Sequence, residues 1–361
     1  MHRFKIKPDK MDEISTTRYN TKWKPLTTIK IIDNADDAIL DLEQDHPDVR
    51  IFTDGSGMNG KIGASAALYR NGRLKSTLRY KLGSQKHHTV YEGEGVGLLL
   101  GAKLLNREWQ TRSANFYVDN RAAIIATQLI KPTSGHHIFD TLHRYISNMT
   151  ERNLNLRITI KWVPGHKGVV GNEKADEQAK KAITEGSNED QLLPEYLRSP
   201  MAYSKSAHIQ TYNDIIKTAA QREWEKSPRF NRMKKTDPTA PSNKFIILTS
   251  KLPRKLTTIL TQLRMGHTPL AKHLHRIKKA DSPMCPACLQ DTESIQHFML
   301  HCPAHRDARL ILRNETGGRD LKIDKLFTNS KTLRALFRYV ADTGRFLSNI
   351  EQIPLLQEPP P

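Results

Sequence analysis

Four acidic residues stand where a sheet enzyme would use them. Asp54 closes the run Phe52-Thr53-Asp54-Gly55-Ser56-Gly57, and Glu94 lies in the first turns of a helical stretch. Asp119 ends Asn115-Phe116-Tyr117-Val118, and Asp176 lies in a later helix, eleven residues after Gly165. Three of these segments are apolar, and an isolated carboxylate at a core edge is costly unless paired or metal-bound. Carboxylates that converge and stay ionised usually share a divalent cation. Mg²⁺ takes one or two of them per ion and fills its other positions with water and substrate phosphate. Singly, each has a plainer reading as a turn residue or helix cap. Glu92 lies about 200° around the helix from Glu94 and is expected to be a solvated neighbour, not a ligand.

A second set is formed by all three cysteines of the chain. Cys285-Pro-Ala-Cys288 is followed after eight residues by His297 and after four more by Cys302. Two thiolates at this spacing form a knuckle, and a histidine with a third thiolate completes a tetrahedral Cys₃His site for one structural Zn²⁺. His301 and His305 are competing ligands, but His301 adjoins Cys302 and would strain the loop. Three clustered cysteines make no disulfide framework, so a reducing compartment is expected.

The elements that must position these residues can be read from periodicity. From Val49 the pattern is strand-like: Val49–Thr53, Gly63–Tyr69 and Leu74–Leu82, separated by glycine-rich and polar breaks, as in antiparallel hairpins. A helix over Thr89–Asn106 follows, then a strand (Ala114–Val118), helices over Asn120–Leu129 and Ser134–Arg152, a strand (Leu156–Val163) and a helix (Asn172–Thr184). The expected fold is α/β, a five-stranded mixed sheet flanked by helices. Residues 1–48 read as a leader or linker with one short helix at Asp36–Leu42, 49–187 as the sheet domain, and 188–203 as a linker. Residues 204–350 read as a basic helical region with its zinc knuckle at 284–303, with helices at Ser204–Lys226, Asn243–Leu252, Arg254–Arg264 and Lys331–Asp342. The proline-rich 351–361 reads as a disordered tail.

Charge separates these segments. The 361 residues carry a formal +19, which points to polyanionic partners. Residues 205–279 alone hold 17 basic and 4 acidic side chains, from which Arg254, Lys255 and Arg264 are candidate phosphate contacts. A solvated face is the plainer alternative. No apolar run is long enough for a membrane span, and the first residues do not read as a secretory signal. An intracellular, nuclear or cytoplasmic protein is expected. Asn34-Ala35-Asp36-Asp37 echoes the paired aspartates of polymerases but lacks their hydrophobic hairpin, and reads as coincidence.

Thr53-Asp54-Gly55-Ser56, the Glu94 helix, Val118-Asp119-Asn120, and Trp162-Val163-Pro164-Gly165-His166 followed by Gly171-Asn172-Glu173-Lys174-Ala175-Asp176 together resemble the type 1 ribonuclease H domain, in order and spacing. Leu263-Arg264-Met265-Gly266-His267, the cysteine knuckle and Thr343-Gly344-Arg345-Phe346 resemble the carboxy-terminal region of Tad-like fungal non-LTR retrotransposon polyproteins. The resemblance implies hydrolysis of the RNA strand of RNA–DNA hybrids with two Mg²⁺ ions, or Mn²⁺. Asp54, Glu94, Asp119 and Asp176 would be the ligands, and His166 would shuttle a proton or assist product release. It implies nucleic-acid contacts from Ser56, Asn120 and Arg121, and a reverse transcriptase half, supplied separately, as a candidate partner.

Two features depart from the family. Arg121 replaces an amide that often contacts nucleic acid, and Glu94 is ringed by Gly93, Gly95, Gly97 and Gly101. Interior glycines weaken a helix, so a catalytically decayed nucleic-acid-binding protein is the alternative. A DDE-type transposase fits less well, because a glutamate lies between the first two aspartates.

Overall fold

The computed structural model describes residues 7–20, 22–239, 241–317 and 321–346. The expected tail at 351–361 lies outside them. Its contacts divide the chain into two units, one ending at Ile215 and the other beginning at Ile216.

The first unit is built on a mixed sheet. Strands β2 (Val49–Met58), β3 (Lys61–Arg70) and β4 (Arg73–Ser84) form an antiparallel meander. Both connections are two-residue Asn-Gly turns, Asn59-Gly60 and Asn71-Gly72, with positive φ at all four positions. That backbone twist matches the strands it joins. Strands β5 (Ser113–Val118) and β6 (Arg157–Trp162) add in parallel beyond β2. The expectation of five strands is corrected to six: β1 (Thr28–Lys30) pairs in parallel with β6 at the sheet edge. All three of its residues are exposed, so it has no apolar alternation to read.

Helix α2 (Val90–Leu105) lies on one face of the sheet with α4 (His136–Arg152) packed against it, and α5 (Val170–Glu185) covers the other face. The main core joins Ile51, Leu68, Leu98, Leu100, Phe116 and Phe139. A smaller cluster on the α5 side joins Phe52, Tyr117, Val163 and Ala175 to Leu42 of α1 (Ala35–Gln44). With both faces covered, β2 reads as an almost unbroken buried run.

Two stretches expected to be linkers are parts of this unit. At the amino end, the buried Asp12 carboxylate accepts from the Ser134 hydroxyl at 2.7 Å, the Gly135 amide at 3.0 Å and the Lys205 amide at 2.9 Å. Arg18 and Tyr19 both reach Asp140 at 2.6 Å. At the other end, Leu193, Leu197 and Met201 enter the main core. The short helix α3 (Arg121–Ala126) follows β5, and α6 (Lys205–Glu225) runs across the division between units.

The second unit contains short helices: α7 (Phe230–Thr236), α8 (Lys244–Thr249), α9 (Arg254–Met265), α10 (Ala271–Arg276), α11 (Arg306–Thr316), α12 (Ile323–Thr328) and α13 (Ser330–Asp342). The apolar stripes of α9 and α13 bury Leu256, Leu260, Leu263, Leu336 and Tyr339 around Phe298 and Phe327. The words that carried the retrotransposon resemblance are structural in this unit. Arg264 forms a buried ion pair with Asp237, Gly266 ends α9 in a left-handed conformation, and Arg345 pairs with the fully buried Glu293.

Removing the Asp12 carboxylate strands the Gly135 and Lys205 amides and leaves the Ser134 hydroxyl only Ser204. Asp12→Ala should destabilise the first unit by about 2–3 kcal/mol in urea unfolding. A loss below about 0.5 kcal/mol, the range of ordinary surface changes, would mean that the amino-terminal segment is only laid on the surface.

Candidate active site and metal centres

Asp54, near the end of β2, Glu94, in the first turns of α2, and Asp119, just after β5, come together. One ligand oxygen from each lies within 4.8 Å of the others. Asp54 and Glu94 are 6% and 3% exposed. The convergence depends on glycine. A Cβ on Gly55 would stand 2.3 Å from the Glu94 amide nitrogen, and one on Gly97 would stand 3.0 Å from the Ser65 carbonyl oxygen. A Cβ on Gly101 would meet the Phe116 ring at 2.7 Å. Gly93, Gly97 and Gly101 are therefore contact positions that seat α2 on the sheet, and Gly95 faces Ile138 and Phe139 of α4. The expectation of a loosened helix is corrected.

Like charges at this distance in a buried place resist ionisation. Burial first, then the Asp119 and Asp176 charges, raise Asp54 to about 7. Burial and the Asp54 charge push Glu94 well above the usual carboxylate range, and burial also raises Asp119. Asp54 Oδ2 and Glu94 Oε2 are buried without a hydrogen-bond partner. Oxygens of this type, grouped and orphaned, are suited to a hard divalent cation.

Asp176 lies outside this group. Its carboxylate is held by Lys180 at 2.6 Å, yet its charge still acts on Asp54. His166 is exposed on the loop before α5, in a left-handed backbone conformation, and its charge acts on Asp119. Ser56 is half-buried, two residues beyond Asp54. Asn120 caps α3 by accepting from the Ala123 amide at 3.1 Å, and its side chain also reaches Glu94.

Sequence reasoning gave no role to three neighbours of Asp119. The Trp162 indole donates to its carbonyl at 2.9 Å, the Asn172 amide approaches its carboxylate at 3.5 Å, and a Cβ on Gly165 would lie 2.8 Å from that carboxylate. All three belong to quoted motifs, but only the fold brings them to Asp119.

Three expectations change. Glu92 is 1% exposed and forms a capping box with Thr89. It is a structural residue of the α2 start, and burial raises it to about 7. Arg121, expected at nucleic acid, is turned toward the amino-terminal segment. It donates to the Ile32 and Asp33 carbonyls at 3.0 Å each and stacks 4.1 Å over the Trp162 ring. Arg264 is 6% exposed and committed to Asp237 and the Phe327 carbonyl, because α9 turns this side chain into the core. Arg254 and Lys255 are exposed at the start of α9.

In the second unit, the ligand atoms of Cys285, Cys288, His297 and Cys302 also lie within 4.8 Å of one another. The Cys285 and Cys302 sulfurs are 3.8 Å apart. That is far beyond a disulfide bond, and it equals the edge of about 3.8 Å that tetrahedral Zn–S bonds of about 2.3 Å require. Cys288 Sγ lies 3.4 Å from His297 Nε2. The buried Arg309 donates to the Met299 and Cys302 carbonyls and so fixes the turn bearing the last two ligands. His301 is exposed, and the His305 ring packs edge-on against Phe298.

Residues 46–184 match the family described as RNase H, and residues 224–308 match the one described as zinc-binding in reverse transcriptase. The two matches stand in the order of an RNase H domain followed by a zinc-binding region. Solved structures similar to it include the amino-terminal RNase H domain of a Mycobacterium tuberculosis protein fused to maltose-binding protein. That match has 17% identity and a TM-score of 0.31, covering 39% of this chain and 96% of that one. RNase H1 from Halobacterium salinarum matches at 15% identity and a TM-score of 0.28, covering 38% and 98%. LC11-RNase H1 in complex with an RNA/DNA hybrid matches at 14% and 0.28, covering 37% and 99%; LC11-RNase H1 was isolated from compost by a metagenomic approach. No curated protein matches the chain. Among the described residues, no helix is long and apolar enough to cross a membrane.

The raised carboxyls of the RNase H domain have a stability signature. Folded Asp54 holds its proton to about pH 7, whereas in an unfolded chain it ionises near pH 4. Between those values the folded state binds more protons, so metal-free stability falls as pH rises through that window. Asp54→Asn should remove much of this fall and raise the metal-free Tm at pH 8 by about 2–6 °C. Thermal unfolding in chelator at pH 5 and pH 8 checks this. A variant less stable than wild type at pH 8 would contradict it.

Proposed function

We propose that the chain hydrolyses the RNA strand of RNA–DNA hybrids, using two Mg²⁺ ions, or Mn²⁺, held by its buried carboxylates. The observation that carries this reading is the convergence of Asp54, Glu94 and Asp119 with two oxygens left unpartnered, inside the segment that matches RNase H. Asp54 would be shared between the ions, Glu94 and Asp119 would complete one set, and Asp176 would join the other on release from Lys180. Divalent ions so bound supply a nucleophilic water near neutral pH and stabilise charge on the attacking and leaving oxygens.

The chain's own residues do the rest. Asn172 and Trp162 hold Asp119 in place from its side-chain and backbone ends. His166, exposed beside Asp119, carries a proton to the leaving oxygen, a role that imidazole fills near neutral pH. Ser56 at the strand end faces the hybrid, and Arg254 and Lys255 contribute phosphate contacts from the second unit. Cys285, Cys288, His297 and Cys302 hold one structural Zn²⁺.

The order of the two regions supports an origin in a retrotransposon polyprotein, with a reverse transcriptase half as partner and an intracellular location. The alternative, a decayed binding protein, drew on the glycines around Glu94. Their close contacts with the sheet and with α4 favour the active reading.

A cleavage assay with hybrid, duplex RNA and duplex DNA, with and without Mg²⁺, tests the proposal. The expected outcome is cutting confined to the RNA strand of the hybrid, dependent on Mg²⁺ and reduced at least about 100-fold in Asp54→Asn. A mutant that cuts as well as wild type, or equal cutting of duplex DNA, would overturn it.

A further inference from the structure

The second unit has a concavity that neither the carboxylates nor the zinc ligands account for. It has a volume of about 370 Å³, and its walls include Thr268, Lys272, His273, Arg276, Ser294 and Gln296. Sites that hold small ligands start at about 300 Å³, so the space suits one nucleotide. Lys272 and Arg276 are exposed. Arg276 also reaches His273 Nδ1 at 2.8 Å, and the His273 ring stacks on His267 at 5.2 Å with 19° between the planes. The surrounding sequence holds no acidic residue from 238 to 280, and Lys278 and Lys279 follow directly. The one carboxylate in the lining, Glu293, is bound by Arg345 and by the Ala271 amide at 2.5 Å.

We propose that this concavity binds single-stranded nucleic acid, with Lys272 and Arg276 on phosphates and the His273 imidazole, backed by the His267 ring, beneath a base. Single strands are recognised by basic grooves combined with flat rings on which unstacked bases lie. A rigid duplex cannot place a base into a pocket of one nucleotide's size. The Ser294 hydroxyl and the Gln296 amide supply adaptable polar contacts along the wall.

The same geometry makes the pocket depend on the knuckle. Its wall at Glu293–Gln296 leads directly into His297, whose amide donates to Ser294 Oγ at 3.0 Å. Glu293 in turn fixes the first residue of α10, the helix that carries Lys272 and Arg276. Loss of the metal would free both walls.

The test uses the full chain carrying Asp54→Asn, so that nothing is cut, and a fluorescent mixed-sequence RNA 12-mer as probe. The binding readout is independent of whether the carboxylates act as a nuclease. Lys272→Ala/Arg276→Ala should bind about tenfold more weakly, with a salt slope shallower by about 1.4, the value for two phosphates on a single strand. Lys272→Gln/Arg276→Gln, which keeps the side-chain stems, should do the same. The charge-matched Lys322→Ala/Lys325→Ala should stay within about twofold, because neither residue lines the concavity. Metal analysis should find one zinc in every variant, and chelation should weaken binding of the parent by a similar factor. The proposal is overturned by an equal loss in the Lys322/Lys325 control, by unchanged affinity in both pocket variants, or by a polyglutamate peptide competing as well as unlabelled RNA. Chelation without effect would refute the dependence on the knuckle.

Discussion

Three carboxylates cannot share one buried place unless the elements that carry them approach more closely than ordinary side chains allow. Here that approach is made along a glycine seam. Gly55 of β2 and Gly97 and Gly101 of α2 let the helix lie on the sheet at backbone distance, which brings Glu94 beside Asp54. The result is electrostatically uncomfortable. Burial raises all three groups, repulsion within the set adds to it at Asp54 and Glu94, and two of their oxygens are left without partners. A fold keeps such an arrangement only where surrounding packing over-determines it. The core of Ile51, Leu98, Leu100 and Phe116 supplies that packing.

Much of this was legible in the sequence because strand ends and helix starts are marked by local chemistry. Asp54 and Asp119 follow apolar strand runs, and Asn71-Gly72 announces a hairpin. The seam was visible as glycines but was read with the wrong sign. Propensity counts what a glycine costs the helix and not what its missing Cβ permits across the interface. Glu92 was misread for a related reason. The 200° separation from Glu94 is correct, but that side of α2 meets the start of α4 at Gly135, and a capping box satisfies the buried carboxylate.

The extra strand and the two supposed linkers failed for want of pattern. Thr28–Lys30 is held by a parallel ladder to β6, and Asp12 by three hydrogen bonds to donors far along the chain. Interactions of this range leave no local periodicity. In the second unit the reverse holds: the cysteine spacing was the strongest local signal, and its four ligands do converge. What the spacing could not reveal is the support around it. Arg309 fastens the carbonyls of the ligand turn, and Glu293 with Arg345 ties the knuckle to the end of the unit. Arg264 illustrates the hazard of reading charge from composition alone, since a basic residue in a basic stretch proves to be an interior ion pair.

The account rests on the seam, so the most direct measurement leaves every carboxylate in place and changes only the approach of α2. Gly93→Ala adds a methyl 3.2 Å from the Ile62 side chain and 3.3 Å from the Gly55 and Gly63 backbone, tight contacts that a shift of a few tenths of an ångström relieves, whereas Gly55→Ala adds one 2.3 Å from the Glu94 backbone. Mg²⁺ affinity by titration calorimetry should therefore fall slightly in the first and at least about tenfold in the second, because a metal site tolerates displacements of only about 0.5 Å. Cooperative unfolding should persist in both. A folded Gly55→Ala protein that binds Mg²⁺ as tightly as wild type would contradict the account.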